Sequence, residues 1–458
     1  MTTAVDTIEA LKARLTGTLA MPGEPLYDEL TSGFNVAIRA TPAAVVEAAD
    51  ARDVAEAVRF AGATGRAVAV QATGHGLASP LDDAILIHTR RLDECLVHPD
   101  GWARVGAGVR WQQVLDKAAP HGLAPLCGAA PSVGVVGYTT GGGLGPVART
   151  FGWASDRVRA FEVVTGDGEH RRVTASTEPD LFWGLRGGKG ALGIVTAIEF
   201  DLVALPTVYA GALYFAGTDA YQVVHRWREW STTLPSEATT SLALLQLPPM
   251  PGVPEPLAGR FTVAVRFAWT GTAESGAAVL APMRAAAEPV IDAVQTIPYA
   301  AIGMVHADPT DPMPVIEETD LLTSFPAEAV DALLAVAGPD AGSPQVIVEL
   351  RQLGGALAEP PAQPSALCHR DAAFALTIIG VPVPPIADAV APHAAAVRSA
   401  LAPWATGGAL PNHSAAAGSE RIARSYDRQT IDRLTALAER YDPAHVLRAG
   451  QVPLRSPA

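Results

Sequence analysis

His75 is an imidazole at the end of the run Ala67-Val-Ala-Val-Gln-Ala-Thr-Gly-His-Gly-Leu77. Val68 and Val70 alternate as in a strand, and Gly74 and Gly76 remove side-chain bulk on either side of the histidine, so a large ligand can press against the backbone there. A loop histidine bonded to water has the same local sequence. A second glycine cluster follows one helix downstream, Pro131-Ser-Val-Gly-Val-Val-Gly-Tyr-Thr-Thr-Gly-Gly-Gly-Leu-Gly145. Gly141, Gly142, Gly143 and Gly145 are expected to expose backbone N–H groups, and such an array of donors is a means of holding a diphosphate. A flexible surface loop is the alternative. Other nucleotide motifs fit poorly. A dinucleotide fingerprint needs glycine where Pro146 stands, and Gly187-Gly-Lys-Gly190 fails as a phosphate loop because Trp183 replaces its first glycine and Gly190 its hydroxyl residue.

Glu349 and Arg351 stand two apart on an expected strand ahead of Leu353-Gly-Gly355, which directs both side chains to one face. A carboxylate beside a guanidinium in a desolvated pocket can be tuned to accept a proton, and it can equally be a structural ion pair. His369, in Leu367-Cys-His-Arg370, is a further candidate base.

These groups need elements to position them. Residues 53–62 read as a helix with Val54, Val58 and Ala61 on one face, feeding the strand that ends at His75. Trp111, Val114, Leu115 and Ala118 recur at helical spacing until Pro120 and Gly122 stop them. Residues 162–165 and 194–200 are strand candidates, and Asp167-Gly168 turns the chain toward Arg171-Arg-Val-Thr174. Beyond Leu205-Pro206 alanine and proline become frequent, with strands at 261–269 and 345–350 and a helix at 327–337, which reads as a separate sheet with helices. Ile431, Leu434, Leu437 and Ala438 form a last helical stripe ending at Tyr441-Asp442-Pro443.

At 458 residues the chain suggests two or three compact units. A net charge of −14 and a pI near 5.2 argue against nucleic acid or an anionic membrane as partner. The first ten residues carry acids where a signal peptide carries bases, and no stretch has membrane-spanning length, so the cytoplasm is the expected compartment. Cys95, Cys127 and Cys368 are too few and scattered for a disulfide framework or a clustered zinc site. The sequon Asn412-His-Ser414 carries no meaning without secretion.

Taken together these motifs resemble the FAD-linked oxidases of the vanillyl-alcohol-oxidase superfamily, on the berberine-bridge-enzyme-like branch. The likeness runs from Tyr27-Asp-Glu and Phe34-Asn through the Gly-His turn, the triple glycine, Phe151-Gly-Trp-Ala-Ser-Asp156 and Val163-Val-Thr-Gly-Asp-Gly168. It continues in Pro179-Asp-Leu-Phe-Trp-Gly-Leu-Arg-Gly-Gly188, Gly193-Ile-Val-Thr196, Leu353-Gly-Gly355, Arg433-Leu434 and Tyr441-Asp-Pro443. It implies an α+β, two-domain fold of the PCMH type. Residues 1–204 would be the FAD-binding domain, 205–404 a substrate domain of antiparallel sheet plus helices, and 405–458 a segment returning to the first domain.

The resemblance further implies a covalent bond from His75 to the flavin ring, with Gln71, Ala72, Thr73, Gly74, Gly76 and Leu77 lining the diphosphate by backbone contact. Pro131, Ser132, Val133, Gly137, Tyr138, the four clustered glycines, Ile194, Val195 and Asn412 complete the implied cofactor contacts. Relatives often carry arginine and glycine where this chain has Gln71 and Thr73. Many add a second link from a cysteine where Ala130 stands, and Cys127 is out of register for that link, so a single attachment is expected. Val133 takes the place of a small side chain that admits dioxygen, which favours an oxidase. Tyr138 falls at the pyrimidine edge of the ring, where its phenol would stabilise negative charge or simply pack. The customary tyrosine base is replaced by Leu410, two residues before Asn412, so the base is expected to be Glu349, tuned by Arg351 beside it, or His369. The function implied is hydride removal from a small alcohol or natural-product intermediate, with dioxygen reduced to hydrogen peroxide. An oxidative cyclase on the same fold, and a flavin-binding protein without turnover, are the alternatives.

Overall fold

Asp50 starts the first long helix, Ala51–Thr64, by accepting hydrogen bonds from the Arg52 and Asp53 amides, and Gly65 ends it at φ 70°. In the computed structural model, which describes residues 7–77, 79–413 and 419–449, the apolar face of this helix carries Val54, Ala57, Val58 and Ala61. They pack in one core with Val46, Val68, Ile85 and Ile87 from a four-stranded sheet. Burying each such valine or isoleucine contributes roughly 1.5–3 kcal/mol. The strand order is Thr18–Ala20, Ala44–Glu47, Ile85–His88, Val68–Gln71, and the last three run parallel. The helix supplies the crossover that a parallel arrangement requires. Val68–Gln71 is therefore an edge strand, and Val70 is 45% exposed while Val68 is buried.

A second sheet is antiparallel throughout, in the order Cys95–His98, Trp102–Gly106, Ile194–Asp201, Val158–Val164, His170–Val173. Its strand Val158–Val164 starts earlier than the 162–165 expected from sequence, because Val158 pairs with Phe200. Trp111–Ala118 packs its Trp111, Val114, Leu115 and Ala118 into the same core. The helix Arg428–Tyr441, capped by Asp427 on the Thr430 amide, adds Leu434, Leu437, Ala438 and Tyr441 to that core, and Val446 O accepts from the Val68 amide at 2.7 Å. Residues 419–449 thus lie against the elements that carry His75.

Strands from Thr207–Ala216 to Phe374–Gly380 form an eight-stranded antiparallel sheet. Leu242, Leu244, Val263, Val265, Val348 and Leu350 face the core shared with Ala220–Ser231, Ala273–Arg284, Ala327–Ala337 and Ala387–Leu401. The period of two sends Ser241, Arg266, Glu349 and Arg351 to the opposite face, where the register sets Arg266 and Arg351 on either side of Ser241. That face carries the polar groups of the site. The two halves are tied by Asn35, whose amide exchanges 3.0 Å bonds with the backbone of Val315, and by Arg149, which donates to Ala238 O and Gln352 Oε1. No helix among the described residues is long and apolar enough to cross a membrane. Ser414 of the sequon, residues 1–6 of the amino terminus, and residues 450–458 lie outside the described residues.

Candidate functional site

Gly74 bends the chain after the edge strand at φ 71°, and a Cβ there would lie 2.3 Å from Gly33 Cα, so close approach of two backbones demands glycine. The contact brings Phe34 to His75, with ring centroids 4.2 Å apart and 11° between planes. Thr73 Oγ1 sits 2.8 Å from His75 Nδ1, while Nε2 is buried without a hydrogen-bond partner. Burial, reinforced by the nearby Arg110 guanidinium, lowers the imidazole to about 4. His75 is therefore neutral at physiological pH, with Nδ1 held by a hydroxyl and Nε2 uncommitted. Gln71 anchors the turn by donating its amide to Leu30 O at 3.1 Å and Ser32 O at 3.3 Å. Leu77 closes it through a 3.4 Å bond to Gly74 O, with Ala72 and the exposed Gly76 between.

The second turn faces the first. A Cβ on Gly134 would touch Ala72 Cβ at 3.6 Å and Thr73 at 3.8 Å, whereas one on the exposed Gly137 would meet nothing within 4 Å. Pro131 and Val133 accept backbone bonds from Gln112 and Trp111, which fixes the segment on the helix Trp111–Ala118. Beside Ala130 a cavity of about 580 Å³, counting space open to solvent, is lined by Pro131, Ser132, Gly303 and Met304. Gln71 Oε1, His75 Nε2, Ser132 Oγ, Tyr138 OH, Thr139 Oγ1 and Asn412 Oδ1 are all enclosed without partners around the two turns. A polar cofactor that presents both donors and acceptors fits this set.

The triple glycine is packed rather than open, which corrects the reading of it as bare amides. Gly141 and Gly142 direct their N–H groups to Thr139 O at the end of the helix Val135–Thr140. Cβ atoms at Gly141, Gly142, Gly143 and Gly145 would strike Asn412 Oδ1, Leu367, Tyr138 and Cys127 O at 2.1–2.9 Å. Ile194 and Val195 likewise sit in the cores. Tyr138 packs edge-on against Trp111, and burial raises its phenol well above 10. Asn412 donates to Tyr138 O at 2.7 Å. Leu410, where relatives place a tyrosine, is buried among Leu144, Trp153, Leu321, Leu353 and Leu367. Cys127 is fully buried within hydrogen-bonding range of Tyr299, its thiol pushed up to about 12 by burial, so it serves as core filler.

Two cations beside the turns go unassigned in the sequence reading. Arg110 caps the helix beneath the second turn and bears on His75. Lys189, rejected as a phosphate-loop lysine, is buried with Nζ on Gly137 O at 3.0 Å, and burial followed by Arg421 lowers its amine to about 7. An isolated lysine between glycines was the available signal.

On the eight-stranded sheet, Glu349 Oε1 accepts from Arg266 Nη1 at 2.6 Å and Ser241 Oγ at 2.7 Å, and Oε2 accepts from Arg351 Nε at 2.8 Å. Burial would raise this carboxyl, but Arg351 and Arg266, aided by His306, hold it well below the usual carboxylate range. Glu349 is thus a poor proton acceptor, and that expectation is corrected: it is the anion that gathers the cations. Arg351 stays charged beside that carboxylate and is its cationic partner. His369 is bound through Nε2 to Arg424 O at 2.9 Å and lies against Gly408, outside the residues lining the cleft, so it too is set aside as base. His306, which sequence reading missed, lines the cleft with Nε2 3.3 Å from Glu349 Oε1, and both its ring nitrogens are buried without a hydrogen-bond partner. Burial, then Arg266, lowers its pKa and keeps it neutral.

Residues 42–174 match the FAD binding domain family. (R)-6-hydroxynicotine oxidase of Paenarthrobacter nicotinovorans is 31% identical over 207 residues, which is 43% of this chain and 45% of that protein, so the alignment spans less than half of the curated relative. The solved structure of 6-hydroxy-D-nicotine oxidase from Arthrobacter nicotinovorans superposes with a TM-score of 0.82 at 23% identity, covering 96% of this chain and 98% of that one. The berberine-bridge-enzyme-like protein 1 of Physcomitrella patens gives 0.86 at 18% identity over 98% and 100%. Residues 42–174 thus match an FAD binding domain, and the chain shares its fold with these solved structures.

Proposed function

We propose that the protein is an FAD-dependent oxidase that holds the dinucleotide between residues 71–77 and 131–137 and binds its ring covalently through His75 alone. The observation that carries this reading is His75 itself: neutral, stacked on Phe34, engaged at Nδ1 by Thr73 and uncommitted at Nε2. An imidazole in that state is a nucleophile, and the link would replace a C–H bond of the ring's C8 methyl and the imidazole N–H with one C–N bond, the two electrons and two hydrogens passing to the ring and from it to dioxygen. Ala130 and the buried Cys127 support the single attachment. Bound there, FAD would supply the electron acceptor, taking hydride from a small alcohol or natural-product intermediate and giving both electrons to dioxygen, which leaves as hydrogen peroxide.

The chain's own groups divide the remaining work. Arg110 brings positive charge to the turn that would hold the diphosphate, compensating for Gln71 in place of the relatives' arginine. Val133 leaves room for dioxygen beside the ring. Tyr138, kept protonated by burial, offers a hydrogen-bond donor at the far edge. His306 replaces Glu349 as the proton acceptor: its Nδ1 is open for the substrate proton, and Glu349 behind Nε2 stabilises the imidazolium that results. The test is acid precipitation of the purified protein. Yellow colour should stay with the pellet, and with the peptide that contains His75; colour left wholly in the supernatant argues against the covalent link, and a colourless protein against the function.

A further inference from the structure

We propose that the cleft beneath the eight-stranded sheet receives a carboxylate carried by the substrate, with Arg351 as its principal contact. The inference rests on the oxidase reading and names the class of molecule that site would accept. The cleft, about 360 Å³ counting the space open to solvent, is lined by Ser241, Arg266, His306 and Arg351, with Leu144 and Gly145 opposite.

The charge there does not balance. Arg266 and Glu349 each have side chains 4% exposed and Arg351 17%, so two guanidinium groups share one carboxylate in a largely desolvated place. His306 is neutral and adds nothing to the anionic side. Asp308 acts on Arg351 from longer range and makes no ion pair with either arginine among the described residues. A buried cation in excess is costly unless an anion joins it. Arg351 uses only Nε on Glu349, and among the described residues its two terminal nitrogens make no hydrogen bond, which leaves the flat edge of the guanidinium for the cleft. That edge matches the two oxygens of a carboxylate. Arg266 Nε and His306 Nδ1 are also enclosed without partners on residues that line the same space. An acid group seated on Arg351 would therefore fix the rest of the substrate in reach of the proposed base. Tyr138, whose phenol feels the Arg351 charge, marks the direction in which the flavin ring is proposed to lie.

The probes are benzoate and its neutral isostere benzamide, titrated into the yellow holoprotein and read by calorimetry and by the flavin's visible spectrum. Benzoate should bind at least about tenfold more tightly than benzamide. Arg351→Gln should abolish that preference while Arg351→Lys keeps part of it, with thermal midpoints confirming that both variants fold. Equal affinity for the two probes, no binding of either, or a preference that survives in Arg351→Gln would each overturn the proposal. A protein with an intact flavin spectrum and no preference sinks this inference alone, whereas a protein without flavin sinks the oxidase reading beneath it.

Discussion

His306 and Lys189 show how burial sets the protonation of single side chains here. His306 has the geometry of a general base supported by a carboxylate, so His306→Gln should lower kcat by about 10²–10⁴-fold with the flavin content unchanged. Peroxide release from a turned-over substrate measures it, and an unaltered kcat would remove His306 from the mechanism. Lys189 makes a pH-dependent prediction. Its amine titrates near 10.5 in an unfolded chain and near 7 when folded, so between those values the unfolded chain holds the extra proton and stability rises with pH. Lys189→Met removes this penalty. Urea midpoints of the variant should exceed the parent's most at pH 7 and below, with the gap closing toward pH 10; a constant gap would show that Lys189 is not buried as a perturbed amine.

At the scale of elements, the turn after Val68–Gln71 is held by backbone contact rather than by side chains. Gly74→Ala would place a methyl 2.3 Å from Gly33 Cα at φ 71°, and should cost about 1–3 kcal/mol in denaturant unfolding and release the stacking of Phe34 on His75. A variant as stable as the parent would contradict the close approach. The strand with period-two valines, the glycine-flanked histidine and the facing of Glu349 and Arg351 were legible in sequence, because local spacing alone decides them. The packing of the triple glycine was not. Whether Gly143 bares its amide or makes way for Tyr138 depends on a ring five residues earlier and on Ala154 later, which no local pattern reports. Arg266 was missed for a similar reason: a single cation in the apolar strand Phe261–Trp269 acquires meaning only when the register sets it across Ser241 from Arg351. The role of Glu349 was misread because its two arginines come from different strands.

Over the whole molecule, the two turns belong with the four- and five-stranded sheets and the charged cluster with the eight-stranded one, so the proposed chemistry depends on how firmly the two parts are joined. Arg149, 6% exposed, donates to Leu234 O, Ala238 O and Gln352 Oε1 from a helix beside the triple glycine. Arg149→Ala should strand those acceptors and split calorimetric unfolding into two transitions; a single transition at an unchanged midpoint would show that the junction does not need it. The fold of the first half and its FAD binding domain were foreshadowed by the glycine motifs, while the face that would meet substrate emerged only when distant strands came together. The central claim, that one imidazole secures the cofactor, is tested most directly by the mass of the denatured protein. The parent should weigh its polypeptide plus one FAD less two hydrogens, and His75→Ala its polypeptide alone; a parent at the bare polypeptide mass, or an adduct that persists without His75, would contradict the account.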